Sequence, residues 1–316
     1  MRFNPAFPEN QAPSRFVFWQ PPAGSTVETG AEQLPVALPE YPLPILRTDF
    51  TAGEPIAAQI GQGVYDYLRQ FPDCAGNAIY AGLLRDAFPH YLADLAALAV
   101  MLDAKDVEPA YVLRKLTALK ILRLAEPGNR GLLGQLCRGF FDLALDFAEL
   151  ANCRSHLLEA MRFGQDLLRL DPGDRQARGL LAEIDLLFGD TPAALGKLQQ
   201  LLQALEDDEA AGRLRARMTE LARQEYVEVS LVDELESVAE AMRLHLAGDN
   251  RAATALLEQV EEQGRLPQIL PSANFYCLLA YCRRGCGDCS GAAVALHKAL
   301  EVEPDHAAAL AALADA

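Results

Sequence analysis

The feature that most constrains this fold is a Gly-Asp dipeptide that recurs in the second half of the chain. Three of its four occurrences are followed, four residues after the Asp, by an Ala that can pack closely. The pattern is typical of a turn between two helices that approach each other through small residues. These three dipeptides are 59 and 39 residues apart, so the sequence predicts that linker helices or insertions separate the units. The three that have this Ala are Gly189-Asp190 with Ala194, Gly248-Asp249 with Ala253, and Gly287-Asp288 with Ala292.

Composition and recurring helix-ending sequences favour helices throughout the chain from about residue 55. Leu and Ala dominate there and β-branched residues are scarce, which suits helices rather than sheets. A helix-ending group of an acidic residue, Pro and further turn residues also recurs, at Glu126-Pro127, Asp171-Pro172 and Glu303-Pro304. The recurrence of such helix-ending sequences indicates an internal repeat.

The clearest unit, residues 273–306, resembles a tetratricopeptide (TPR) repeat. Tyr276, Leu279 and Ala280 match the first helix, and Pro304 matches the terminal proline. Arg283 departs from the pattern, where an aromatic residue is usual. Weaker matches cover 141–174, 175–208 and 234–267. The resemblance implies an all-α fold, an α-solenoid of stacked antiparallel helix pairs over 141–316.

The sequence predicts three regions. Residues 1–54 carry nine prolines and many large apolar residues, which predicts an extended arm without helices, partly polyproline II. This arm would lie on the protein's own helices, or serve as a docking strap through its P-x-x-P at 39–42. Residues 55–140 form a helical N-terminal region. The TPR-like repeats occupy 141–208 and 232–316, joined by a linker helix at about 212–229.

The resemblance implies a concave groove that binds a peptide or a partner's helix. By the repeat pattern, the groove would be lined in part by Leu145, Leu187 and Cys277. It lacks the paired Lys and Asn residues with which some members of the family clamp a C-terminal carboxylate. The proline-rich arm filling this groove is the competing interpretation. The predicted partner-binding residues are Asp142, Glu149, Asn152, Gln176, Glu183, Asn274, Tyr281 and Arg284.

Charge and hydropathy exclude other classes of partner. The formal net charge is −16, which disfavours nucleic acid and anionic membrane surfaces. We expect a cytoplasmic protein, since no signal-peptide pattern and no apolar run of spanning length occurs. Seven cysteines, an odd number, favour free thiols. The short Ala-rich tail at 307–316 leaves a homo-oligomer open.

A cluster of cysteines carries the main alternative function. Cys282, Cys286 and Cys289 have a C-x3-C-x2-C spacing, with Cys277 nearby, so a metal- or redox-sensitive protein is the second hypothesis. The same residues fit the repeat as small thiols, which predicts no metal and no cofactor. A non-catalytic accessory subunit of an enzyme complex is the third hypothesis. No nucleophile–base pair stands out, so we predict no catalytic residues and no enzyme.

Overall fold

The computed structural model describes residues 15–29, 34–50, 53–103, 108–206, 208–223 and 230–314. It divides into two compact units, residues 1–136 and 137–316. Each unit is built mainly from helices, as the sequence predicts for an all-α protein. Among the described residues, no helix combines the length and the apolar content needed to cross a membrane.

Unit 1 places four short strands against helices. Strand β1 pairs with β4 and strand β2 pairs with β3, both antiparallel. The sequence predicts an extended, helix-free arm here, and the structure pairs parts of it as strands, a pairing that the sequence analysis does not assign. Two-stranded pairs have free edges, so prolines such as Pro35 and Pro44 fit them without leaving a ladder hydrogen bond unmade. The elements are β1 (Phe16–Trp19), β2 (Thr26–Thr29), β3 (Leu34–Ala37), β4 (Leu43–Leu46), α1 (Ala57–Gln70), α2 (Asn77–Ala87), α3 (Pro89–Asp103) and α4 (Pro109–Ala125).

Strand β4 packs directly on α1. Leu43 and Ile45 are fully buried. A Cβ atom on Gly63 would lie 2.2 Å from the carbonyl oxygen of Pro44, so only glycine permits this approach. The Tyr80 hydroxyl of α2 donates to the carbonyl of Pro42 at 2.7 Å, which ties one end of the P-x-x-P sequence to the core of this unit. This contact favours an internal role for that sequence over a docking strap.

Unit 2 contains three helix pairs joined by Gly-Asp turns, together with further helices. Helix α5 (Arg130–Ala144) runs across the division between the units, and unit 2 continues from there. The remaining elements are a 3₁₀ helix (Phe147–Asn152), α6 (Cys153–Leu170), α7 (Arg175–Leu187), α8 (Thr191–Gln203), α9 (Asp208–Arg223), α10 (Leu231–Leu246), α11 (Asn250–Gln263), α12 (Leu266–Ile269), α13 (Ala273–Gly285), α14 (Cys289–Val302) and α15 (Ala307–Ala314).

The three predicted turns share one geometry. Each glycine adopts a positive φ, between 83° and 87°, which ends the first helix in a left-handed residue. Each aspartate then caps the second helix: Asp190 accepts from the Ala193 N–H at 3.0 Å, and Asp249 and Asp288 make the equivalent bonds. The pairs α7–α8, α10–α11 and α13–α14 pack closely through buried alanines. The TPR-like prediction is confirmed for these pairs.

One helix prediction needs correction. The sequence predicts one helical run over 130–152, but the α-helix ends at Ala144 and a 3₁₀ helix follows. The Asp146 side chain accepts from the Ala148 N–H at 2.9 Å, and this local bond competes with continuing the helix. Helix α9 covers part of the predicted linker helix, whose residues 224–229 lie outside the described residues.

Candidate functional site

A cavity of about 550 Å³ lies within unit 2, between the pair α7–α8 and helices α9 and α12. Its volume falls within the range of roughly 300–1,000 Å³ that is usual for binding pockets. Most of the side chains around it are leucine or another apolar residue. The lining residues are Phe141, Leu145, Glu183, Leu186, Leu187, Gly189, Thr191, Pro192, Leu195, Arg217, Leu221, Ala222, Leu231, Arg265, Ile269 and Leu270.

The cavity exists because the chain leaves the regular order of the repeat after α8. Helix α9 packs on α8, whereas α10 packs on α6 and on the 3₁₀ helix that precedes it. The Gly189 turn ends α7 next to the start of α8, so Leu187 and Leu195 reach the same space. Leu221 of α9 lines the same cavity.

One wall depends on a buried carboxylate. Glu234 of α10 is only 5% exposed and accepts the backbone N–H groups of Arg265 at 2.9 Å and Leu266 at 2.7 Å. These donors lie at the beginning of α12, where unpaired N–H groups need acceptors. A Cβ atom on Gly264 would lie 2.5 Å from the backbone carbonyl oxygen of Val260 and equally close to the Glu234 Oε2, so glycine is required there. The arrangement fixes α12 and therefore Ile269.

An ion pair bridges the cavity wall. The Arg217 guanidinium donates to both carboxylate oxygens of Glu183, at 2.5 and 2.6 Å, and so joins α9 to α7. The hydrogen bond to Glu183 raises the pKa of Arg217 above its ordinary value. Both side chains are partly exposed, so the pair contributes only about 0–1 kcal/mol to stability.

The structure brings some of the predicted groove residues together here. Leu145, Glu183 and Leu187 all line the cavity. Tyr281 and Arg284 line a separate, smaller cavity of about 150 Å³ between α13, α14 and α15. The Arg284 guanidinium lies 5.5 Å from the centre of the Tyr281 ring, a cation–π contact.

The remaining predicted residues line neither cavity. Asp142 lies 3.7 Å from the Arg138 guanidinium, and Gln176 is exposed on α7. Glu149 accepts from the Asn152 side chain at 2.9 Å. Because the α-helix ends at Ala144, Asp142 no longer shares a helix face with Glu149 and Asn152.

Asn274 belongs to a contact at the beginning of α13. Its Oδ1 lies 3.1 Å from the Nε2 of His306. The Nδ1 of His306 in turn accepts from the Ala309 N–H at 3.3 Å and lies 3.5 Å from the Cys277 Sγ. These partners make Asn274 and Cys277 part of the junction with α15.

The cavity uses residues that the repeat pattern did not single out. Leu221 of α9 lines the cavity, and it continues a half-buried stripe with Leu214 and Met218 at helical spacing that was readable in the sequence. Ile269 and Leu270, in contrast, follow a four-residue helix held by a side chain about thirty residues earlier. No local signal of that kind marks α12.

The structure does not gather the cysteine cluster: in the described part of the chain, no three His, Cys, Asp or Glu side chains are close enough together to hold an ion. Cys282 is buried, which raises the pKa of its thiol to about 11. Cys286 lies 3.8 Å from the Thr254 hydroxyl of α11, whereas Cys289 lines the small cavity on the α15 side. The two exposed thiols therefore face different neighbours.

The helix pairs define this chain as a TPR-like helical-repeat protein. No protein-family model matches it, and no curated protein matches it either. Two solved structures are similar to it. The crystal structure of MamA protein is 16% identical, with 68% of this chain and 93% of that chain covered and a TM-score of 0.29. TTC0263, a thermophilic TPR protein of Thermus thermophilus, is 16% identical, with 71% and 97% covered and a TM-score of 0.28.

Proposed function

We propose that this protein is an interaction scaffold or adaptor, and that a peptide or a helix of its partner binds in the cavity of unit 2. The observation that carries the proposal is the cavity of about 550 Å³ with leucine on several sides. Burying apolar side chains there would contribute roughly 1.5–3 kcal/mol each.

The cavity suits the way in which an amphipathic helix binds a groove. Such a helix inserts apolar side chains spaced three or four residues apart into one continuous apolar site. Ile269 is 46% exposed at the side of this cavity, and Leu221 is half-buried opposite. A partner that covered these side chains would remove apolar surface from water that the isolated chain leaves exposed.

The proposal is tested by capturing partners from the native cell extract with the tagged full-length chain and identifying them by mass spectrometry. Leu221→Glu places a charge in the cavity wall at a half-buried position, where the fold should tolerate it. Leu246→Glu makes the same change on α10 at a leucine that is 85% exposed and does not line the cavity. We expect Leu221→Glu to weaken capture of a fixed-ratio partner by at least about tenfold. The Leu246→Glu protein should bind like the unmodified chain.

A second pair of substitutions separates the cavity from the predicted groove face. Replacing Tyr281 and Arg284 with alanine removes the cation–π pair at the small cavity and leaves the larger cavity intact. Partner binding that survives this change and fails with Leu221→Glu supports the larger cavity. The reverse result would move the site to α13 and overturn the proposal. The alternative in which the arm of residues 1–54 fills the groove stays a prediction.

A further inference from the structure

We infer that the partner segment is acidic as well as apolar: an amphipathic helix with leucine-like anchors and carboxylates on its flanks. This inference rests on the proposed function and names the chemistry of the partner. It comes from α9, the helix that forms one wall of the cavity and carries arginines beside its apolar stripe.

Helix geometry places arginines on both sides of that stripe. Leu221 and Ala222 line the cavity, and Arg217, one turn before Leu221, lines it at one edge. Arg215 falls at the other edge, two turns before Ala222. A partner helix lying along α9 would therefore have a guanidinium near each of its flanks.

The local charge of this surface differs from that of the whole chain. Helix α9 contains four arginines against three carboxylates, Asp208, Glu209 and Glu220. Of the charged residues that line the cavity, Arg217 and Arg265 are positive and Glu183 is negative, so the wall carries a net positive charge. The complete chain, in contrast, has a net charge of −16. Salt screens charges beyond roughly 8 Å at physiological ionic strength, so the nearby arginines rather than the total charge decide which flanking residues fit.

The arginines are available to a partner. Arg215 is exposed and makes no ion pair with any residue that the structure describes. Arg217 is held by Glu183, and Arg213 by Glu209 at 2.5 Å, but all of these side chains are at least one-third exposed. Exposed pairs contribute little, so a partner carboxylate can replace the internal one at small cost. Guanidinium groups also bind carboxylates in bidentate geometry, as Arg217 already does.

The test uses two synthetic helix-forming peptides with leucines at identical positions, one with glutamate and the other with lysine at the flanking positions. Fluorescence anisotropy measures the binding of each to the full chain. We expect the glutamate peptide to bind at least about tenfold more tightly, with an affinity that falls as salt is added. The double variant Arg215→Glu with Arg217→Glu should remove that preference. Arg251→Glu, an exposed arginine of α11, should leave it unchanged.

The outcomes separate this inference from the proposed function. Equal or tighter binding of the lysine peptide would overturn the acidic assignment. If Leu221→Glu still abolished that binding, the cavity would stand as the site. Failure of both peptides to bind would also overturn the inference, while the capture experiment would decide the proposed function independently. Helical circular dichroism of each variant shows whether it has folded.

Discussion

The two units of this protein bury their cores by different routes. In unit 1, strands from the beginning of the chain cover α1 and α2, so Ile45 packs where Gly63 allows backbone to approach backbone. In unit 2, the helices that pack most closely are neighbours in the chain, joined by the short turns at Gly189, Gly248 and Gly287. One core depends on contacts between distant segments, and the other repeats a local contact.

The difference has consequences for stability and for function. A core assembled from distant segments depends on a few positions where no other residue fits, as at Gly63. A repeat distributes its stability over similar interfaces, and the chain can depart from the regular order at one place without losing the others. Unit 2 departs from it between α8 and α10, which is where the cavity lies.

The largest expected effect comes from breaking a repeated interface. Leu279 is fully buried in α13, so Leu279→Ala should lower the free energy of unfolding by about 2–5 kcal/mol through lost burial and a cavity. Leu310→Ala removes the same atoms from a leucine of α15 that is 48% exposed, and should cost less than about 1 kcal/mol. Urea unfolding followed by far-ultraviolet circular dichroism measures both. Similar losses would mean that the helix pairs are not packed as described.

The next effect tests the close approach in unit 1. Gly63→Ala would place a methyl group against the backbone of Pro44 and Ile45, and should cost about 1–3 kcal/mol. Gly82→Ala is the matched control, because a Cβ atom there meets nothing within 4 Å and alanine favours the helix. Trp19, the single tryptophan, lies in β1 and reports on this unit by fluorescence. Equal stability of the two variants would contradict the strand packing.

A smaller effect is expected at the caps of the repeat turns. Asp249→Ala removes the acceptor for the Ala252 N–H and should cost about 1 kcal/mol. Asp249→Asn keeps an acceptor and should cost a few tenths of that. Thermal unfolding of the two variants side by side gives the difference. A loss as large for asparagine as for alanine would show that charge, rather than the hydrogen bond, holds the turn.

The cap at Asp288 should also give the repeat a dependence on pH. The hydrogen bond from the Gly291 N–H, followed by that from Ser290, lowers the pKa of this carboxyl group below its ordinary value. The stability that it contributes is therefore present above the ordinary aspartate pKa of about 4 and is lost as the pH falls through the lowered value. The difference in stability between the unmodified protein and Asp288→Asn should shrink over that range. A difference that stays constant down to strongly acidic pH would contradict this role for the carboxylate.

The contrast between local contacts in unit 2 and distant contacts in unit 1 also explains which parts of the fold could be predicted from the sequence. The pairs around the Gly-Asp turns were predictable, because a glycine of positive φ and a capping aspartate act within a few residues. The strands were not, since the pairing of Phe16 with Leu46 joins residues thirty positions apart. The end of α5 at Ala144 escaped prediction because Asp146 offers the backbone a local alternative.

Only part of the candidate site was predictable. The groove positions Leu145, Glu183 and Leu187 were within reach of the repeat pattern. The wall formed by α12 could not be predicted, because α12 is a four-residue helix whose position is fixed by Glu234 of another helix. The direction of Asn274 toward His306 likewise depends on where α15 packs.

The most direct test of the central claim is hydrogen–deuterium exchange of the full chain with and without a saturating amount of its captured partner. If the partner binds in the cavity, protection should appear in the end of α7 near Leu187, in α9 near Leu221 and in α12 near Ile269. The backbone around Tyr281 should exchange at the same rate in both samples. Protection confined to α13, or none within the cavity walls, would contradict the claim.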